Sequence, residues 1–198
     1  MGRMLLVLGG ARSGKSAYAQ QLAQELGRSR VLFVATAQAW DEEMAQRIAQ
    51  HQQERPVAWR TLEAPHHVGQ AIALHRGDAA VVLVDCLTLL VSNTILRLGE
   101  SPDPTAAEVA VQEEVAALLH TCQTHTATSI LVSNEVGLGL VPDNALGRLY
   151  RDLLGRANQT LAARAEAVYF MVAGLAVEVK ALATAAVWPI PGSGAPGL

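Results

Sequence analysis

The chain opens with an unbroken apolar run, Met4-Leu5-Leu6-Val7-Leu8, and four similar short runs follow at 31–35, 81–84, 129–132 and 168–172. None alternates apolar with polar residues, as a strand with one wet face does, so the pattern predicts strands buried on both faces of a parallel sheet. Between them apolar positions recur at helical spacing over 15–26, 42–53, 66–75, 88–98, 105–121 and 145–165. Alternation of strand and helix predicts crossover units, and hence an α/β fold in three layers with helices on both faces of a mostly parallel sheet. Trp59-Arg60-Thr61-Leu62-Glu63-Ala64-Pro65 reads as an edge strand and turn, with Glu63 ending the strand.

In such sheets ligands gather beyond the carboxyl ends of the strands. After the first strand stands Gly9-Gly10-Ala11-Arg12-Ser13-Gly14-Lys15-Ser16, which fits G-x-x-x-x-G-K-[ST] in the strand–loop–helix setting the motif requires. Glycines let the turn fold so that successive backbone N–H groups converge on phosphate oxygens at a helix N-terminus. Lys15 is then expected to neutralise β- and γ-phosphate charge and Ser16 to hold Mg²⁺, with ATP or GTP as the nucleotide. Asp85 ends Val81-Val82-Leu83-Val84-Asp85, where a carboxylate can hold a Mg²⁺-bound water beside the loop. Thr36-Ala37-Gln38 and Asn134-Glu135-Val136-Gly137 follow the second and fourth strands.

Other polar residues have structural readings beside chemical ones. Asp41-Glu42-Glu43 suits the first turn of a helix through its dipole. His51 shares a helix face with Met44 and Ile48, lies four residues from Arg47, and by spacing alone reads as a partly buried structural histidine. Arg55 precedes Pro56 and ends that helix, either as a solvated terminus or as a phosphate clamp. On pattern alone Glu63 is a surface acid. His66, His67, His75, His120 and His125 lack the spacing of a metal site and read as surface or capping residues. Leu146, Leu149, Leu153, Ala157 and Leu161 form a core-facing stripe, which leaves Arg148, Arg151 and Arg156 as solvated charges outside it.

Composition narrows the class. The 198 residues suffice for one well-buried domain, the chain is 51% hydrophobic and 17% charged, and its net charge of −3 gives no footprint for nucleic acid or an anionic membrane. Cys86 and Cys122 are not a close-set pair that would suggest a zinc or disulfide framework, and both are expected to be buried or inert thiols. No apolar stretch reaches the length of a membrane span, and the N-terminus enters a strand without a secretory pattern, so a cytoplasmic location is expected. Residues 1–180 form the expected nucleotide-binding domain, and 181–198 a Pro/Gly-rich tail that is loosely ordered or packs on a neighbouring subunit.

Several spaced segments share one resemblance. The phosphate loop, Val34-Ala35-Thr36-Ala37, Asp41-Glu42-Glu43-Met44, Arg47-Ile48 with His51, Arg55-Pro56, Trp59-Arg60-Thr61-Leu62-Glu63, Ser133-Asn134-Glu135-Val136-Gly137-Leu138-Gly139 and Arg151-Asp152…Gly155-Arg156-Ala157-Asn158-Gln159 resemble the bifunctional adenosylcobinamide kinase/adenosylcobinamide-phosphate guanylyltransferases of cobalamin biosynthesis. The likeness runs from about Arg3 to Lys180. It implies a RecA-like P-loop NTPase fold, a homotrimer, phosphorylation of the adenosylcobinamide aminopropanol hydroxyl, and GMP transfer from GTP through a covalent histidine intermediate. The matching histidine is His51; Ala35, Thr36, Ala37, Gln52, Gln53, Glu54, Arg55, Glu63 and Asp85 are implied to line the nucleotide pocket with Gly9 to Ser16. Family members carry Glu in place of Asp85, or a second His in place of Gln50; the second difference assigns the nucleophile to His51.

Two other readings compete. One is a P-loop kinase of another small molecule, without guanylyltransferase activity, in which His51 is structural. The other is a guanine-nucleotide switch, but N-K-x-D is missing and the D-x-x-G match, Asp152-Leu153-Leu154-Gly155, falls inside a helical pattern.

Overall fold

The computed structural model describes residues 2–39, 42, 46, 49, 52 and 55–183. In chain order its elements are β1 (Met4–Gly9), α1 (Lys15–Gly27), β2 (Val31–Ala35), β3 (Arg60–Glu63), α2 (Val68–His75), β4 (Val81–Asp85), α3 (Leu87–Leu96), α4 (Pro104–Thr124), β5 (Thr128–Asn134), α5 (Ala145–Arg164), β6 (Ala167–Val172), β7 (Leu175–Glu178) and α6 (Val179–Leu182). Residues 42, 46, 49 and 52 are also helical. The remaining positions of the predicted 42–53 helix, His51 among them, and the tail beyond 183 lie outside the described residues.

The strands form one sheet in the order β3-β2-β4-β5-β1-β6-β7, parallel throughout except for the β6–β7 pair. The apolar runs of β1, β2, β4 and β5 are buried on both faces, because successive side chains point to opposite sides, whereas the run in β6, beside the edge strand, is buried only at Val168 and Met171. Leu6, Leu32, Val34, Val82, Val84 and Leu131 pack with Ile72 of α2, Leu90 of α3, Leu118 of α4 and Leu154 of α5. Leu5, Val7, Phe33, Leu83, Ile130 and Val132 pack on the other face with Ala19 and Ala23 of α1. This is the three-layer arrangement expected, and the segment around Trp59 does supply an edge strand, paired in parallel with β2.

Local differences have local causes. The helix expected over 66–75 starts at Val68, because His67 takes φ 51° and the buried Glu114 carboxylate of α4 accepts from the backbone N–H groups of His67 (3.0 Å) and Val68 (2.8 Å). A carboxylate from a distant helix thus satisfies N–H groups left unpaired at the helix start. His125, expected at the surface or as a cap, follows the end of α4 but is buried, 3.5 Å from the Ser129 hydroxyl. The stripe on α5 is core-facing as read, with Leu153, Ala157 and Leu161 buried and Leu146 and Leu149 packed against them. The hairpin strand β7 has no counterpart in the sequence pattern.

Candidate functional site

The C-terminal ends of β1, β2 and β4 bring most of the expected site residues together. Gly9 and Gly14 take positive φ (153° and 95°), and a Cβ on Gly9 would sit 2.7 Å from both the Met171 carbonyl and the Ser13 hydroxyl. Gly14 precedes the first residue of α1 in a left-handed conformation, and Arg12 is also left-handed at φ 57°. The loop therefore wraps tightly and feeds a helix N-terminus, the geometry that collects N–H groups toward an anion. From outside it is tied down by the β6–β7 turn, where the Gly174 N–H donates to the Ser13 carbonyl at 3.0 Å.

Lys15 is buried, and its Nζ donates to the Gly10 carbonyl at 2.6 Å, across the loop. Burial lowers its pKa, while the nearby Cys86 and Asp85 push it back up. The ammonium is thus held over the loop in a partly desolvated place, where its field on a phosphate is weakly screened. The buried Ser13 hydroxyl has no partner among the described residues. Such an atom, beside convergent N–H groups, fits a phosphate oxygen as its missing acceptor. Ser16 is half-buried in the first turn of α1, and Asp85 is half-buried at the end of β4, so the oxygen donors of these two residues stand on the same edge of the sheet.

Thr36 links β2 to β4. It is fully buried, donates to the Cys86 carbonyl (2.7 Å), accepts from the Cys86 N–H (2.8 Å), and its own carbonyl accepts from the buried Asn93 amide of α3 (2.8 Å). Asn93 also donates to the Pro65 carbonyl at 3.1 Å, joining the ends of β2 and β3, while the Thr36 hydroxyl ties β2 to β4. Sequence reading missed Asn93; a lone Asn in an apolar helix carries no motif.

Arg55 lies with its guanidinium carbon 3.8 Å from the centroid of the Phe33 ring. Stacking of this kind is favourable and fixes the plane of the guanidinium. Its Nε and one Nη are buried without partners among the described residues. Burial lowers its pKa, opposed by the Asp85 and Glu63 carboxylates. Arg55 therefore resolves as a charge turned into the molecule, not a solvated helix end. It borders a cavity of about 540 Å³ with Gln52, Trp59, Thr61 and Glu63, and Gln52 reaches Glu63 at 3.4 Å. Three of the residues that the resemblance placed in one pocket thus meet, while Gln53, Glu54 and His51 lie outside the described residues.

Arg151 is not merely solvated, as its spacing suggested: it lines a second cavity with Asn158, and its side chain is only 23% exposed. Arg156 borders the same cavity but stays solvated, at 62% exposed and paired with Glu108. Arg148 stays at the surface, bonded to the Pro142 and Asp143 carbonyls. Cys122 is buried and Cys86 half-buried, and burial pushes both thiols up to about 11, away from thiolate chemistry at neutral pH.

Comparison with known proteins adds the family. The bifunctional adenosylcobalamin biosynthesis protein CobU of Escherichia coli (strain K12) is 43% identical over 182 residues, covering 89% of this chain and 99% of that protein. CobP of Pseudomonas aeruginosa, with the same bifunctional description, is 45% identical over 175 residues, covering 88% and 96%. Among solved structures, the flagellar accessory protein FlaH from Methanocaldococcus jannaschii aligns over 88% of this chain and 75% of that one, at 14% identity and a TM-score of 0.47. The family model described as cobinamide kinase/cobinamide phosphate guanyltransferase matches residues 5–179, and the chain belongs to that family.

Proposed function

We infer that this protein phosphorylates adenosylcobinamide at its aminopropanol hydroxyl with ATP or GTP, then transfers GMP from GTP through a His51-GMP intermediate, giving adenosylcobinamide-GDP and pyrophosphate. Family membership supports the two reactions. What supports a shared site is placement: Arg55, which follows the segment bearing His51 in the sequence, stacks on Phe33 of β2, and β2 pairs with β4, whose last residue, Asp85, favours the charged forms of both Arg55 and Lys15.

In the first step the loop N–H groups and Lys15 hold the β- and γ-phosphates while the acceptor hydroxyl attacks the γ-phosphorus and ADP or GDP leaves. In the second, the neutral imidazole of His51 attacks the α-phosphorus; a P–N bond forms and the bond to pyrophosphate breaks. The phosphate oxygen of cobinamide phosphate then attacks the same phosphorus and frees the imidazole. Two displacements through a covalent intermediate replace one difficult encounter between anions. Oxygen donors from Ser16 and Asp85 suit Mg²⁺, which when bound supplies charge neutralisation on the phosphates. Gln52, Arg55 and Glu63 are assigned to the nucleotide, with Ala35, Thr36 and Ala37 forming the adjoining backbone.

Residues 1–180 are the working unit in this reading and 181–198 an appendage. Self-association is supported by apolar surface on the β6–β7 edge, where Val172, Leu175 and Val177 are 52%, 72% and 39% exposed, and the homotrimer itself is what the resemblance implies. No helix among the described residues is long and apolar enough to cross a membrane. The substrates place the reaction in the cytoplasm, where ATP and GTP are held.

The test is product analysis with adenosylcobinamide, GTP and Mg²⁺. Lys15→Ala is expected to lower both activities by roughly 10²-fold or more, the scale of losing a transition-state charge partner. His51→Ala is expected to abolish guanylyl transfer and to keep phosphorylation. Equal loss of both activities in the His51 variant would reduce that residue to a structural or nucleotide-positioning role, and a wild-type protein that phosphorylates but never forms a GMP adduct would favour the kinase-only alternative.

A further inference from the structure

On the α5 face of the sheet lies a cavity of about 520 Å³ that the nucleotide assignments do not use. It is lined by Leu8 of β1, by Glu135 just after β5, and by Arg151, Asp152, Asn158 and Gln159 of α5. It adjoins the phosphate loop directly: Leu8 precedes Gly9, and the Glu135 N–H donates to the Gly9 carbonyl at 3.0 Å. The Arg55–Glu63 cavity, by contrast, lies at the β2–β3 edge, with Trp59 and Phe33 packed in the α1-side core. Of the two, only the α5-face cavity has in its lining a residue of the strand that enters the phosphate loop. A phosphoryl transfer needs the acceptor oxygen in line with the phosphorus and its leaving group, and a cavity beside the loop can supply that approach.

Asn158 indicates what the second cavity takes. It is 5% exposed; its Nδ2 donates to the Asn134 carbonyl at 3.0 Å, and its buried Oδ1 has no partner among the described residues. A buried acceptor left unpaired calls for a donor from outside the chain. Arg151 uses Nε and one Nη on its neighbour Asp152, both at 3.2 Å, and its other Nη has no hydrogen bond among the described residues. An acceptor and a donor about two turns apart along one face of α5 match a ligand that carries several primary carboxamides, each of which needs both. A corrinoid carries such amides around its rim.

We propose that this cavity is the acceptor subsite: it receives the amide-bearing rim of the corrinoid and aims its hydroxyl-ended arm, later its phosphate-ended arm, past Leu8 at the phosphate loop. The volume falls in the range of small-molecule sites and suits the arm and part of the rim, with the rest of the ring outside. Arg151 then meets the phosphate made in the first step and holds it for the second. The assignment rests on the family reading above.

Steady-state kinetics with adenosylcobinamide and with its phosphate test it. Arg151→Ala and Gln159→Ala alter the cavity and leave the buried stripe of Leu153, Ala157 and Leu161 intact, so both variants are expected to fold. Arg151→Ala is expected to raise KM for the corrinoid phosphate by about tenfold, the scale of one charge-assisted hydrogen bond, with KM for GTP within about twofold of wild type. Arg151→Lys is expected to recover part of the loss. Gln159→Ala and Asn158→Ala should raise KM for the unphosphorylated corrinoid. If corrinoid KM stays within about twofold of wild type in all of these, or nucleotide KM rises in parallel, the assignment is wrong and the proposed function survives. Failure of the wild-type protein to act on a corrinoid at all would overturn both.

Discussion

Single side chains in this site gain their meaning from burial. Lys15, Thr36, Asn93 and Asn158 are polar groups inside the molecule, each with a defined hydrogen bond, and two of them hold strand ends in register. The phosphate-loop residues were legible in sequence because glycine and lysine at fixed spacing have few other uses. Asn93, Asn158 and the Glu114 cap were not, because their partners are 28 or more, 24 and 46 or more residues away and no local pattern records them. Cys122 offers a residue-level test. Burial raises its folded pKa from 9.0 to about 11, so the neutral thiol is favoured in the fold. That contribution is fully present below pH 9 and is lost as pH rises toward 11, at up to about 1.4 kcal/mol per pH unit. Urea unfolding of Cys122→Ala across pH 8–11 should therefore give a flatter stability curve than wild type. An unchanged slope would show that the buried thiol is not a source of alkaline sensitivity.

At the level of elements, long periodic runs were readable and short ones were not. The five core strands stand within two residues of their predicted limits, since continuous Val, Ile and Leu runs have one stable destination, the middle of a sheet. The strand β7 is four residues long and enters through Ala173-Gly174, where Ala173 takes φ 50°. Alanine gives no turn signal because it disfavours that conformation, so the hairpin that braces the phosphate loop was invisible. The α2–α4 contact was equally hidden. A Cβ on Gly69 would sit 2.5 Å from the Ala117 carbonyl oxygen, and the Thr121 hydroxyl donates to the Gly69 carbonyl at 3.0 Å. Backbone lies against backbone there, and no flexible side chain is available to yield. Gly69→Ala is expected to cost about 1–3 kcal/mol, seen as a lower denaturant midpoint with an unchanged slope. Wild-type stability in this variant would mean that the helices separate freely.

For the whole molecule, the parallel sheet places its ligands by topology. Strands β2, β4, β5 and β1 end on one edge, and that edge collects the glycine loop, Thr36, Asp85 and Glu135. The expected place of the candidate site followed from this rule before any side chain was placed. The depth and direction of each cavity did not, because they depend on how side chains such as Arg151 and Arg55 pack. The central claim is that the phosphate loop and the histidine-bearing segment serve one nucleotide. Incubation with GTP and Mg²⁺ without corrinoid, followed by mass analysis of the intact chain and its peptides, addresses it most directly. The account predicts one GMP per chain, acid-labile, on the peptide containing His51, and none in His51→Ala or Lys15→Ala. A GMP adduct that persists in His51→Ala, or a wild-type chain that turns over cobinamide phosphate without ever carrying GMP, would contradict it.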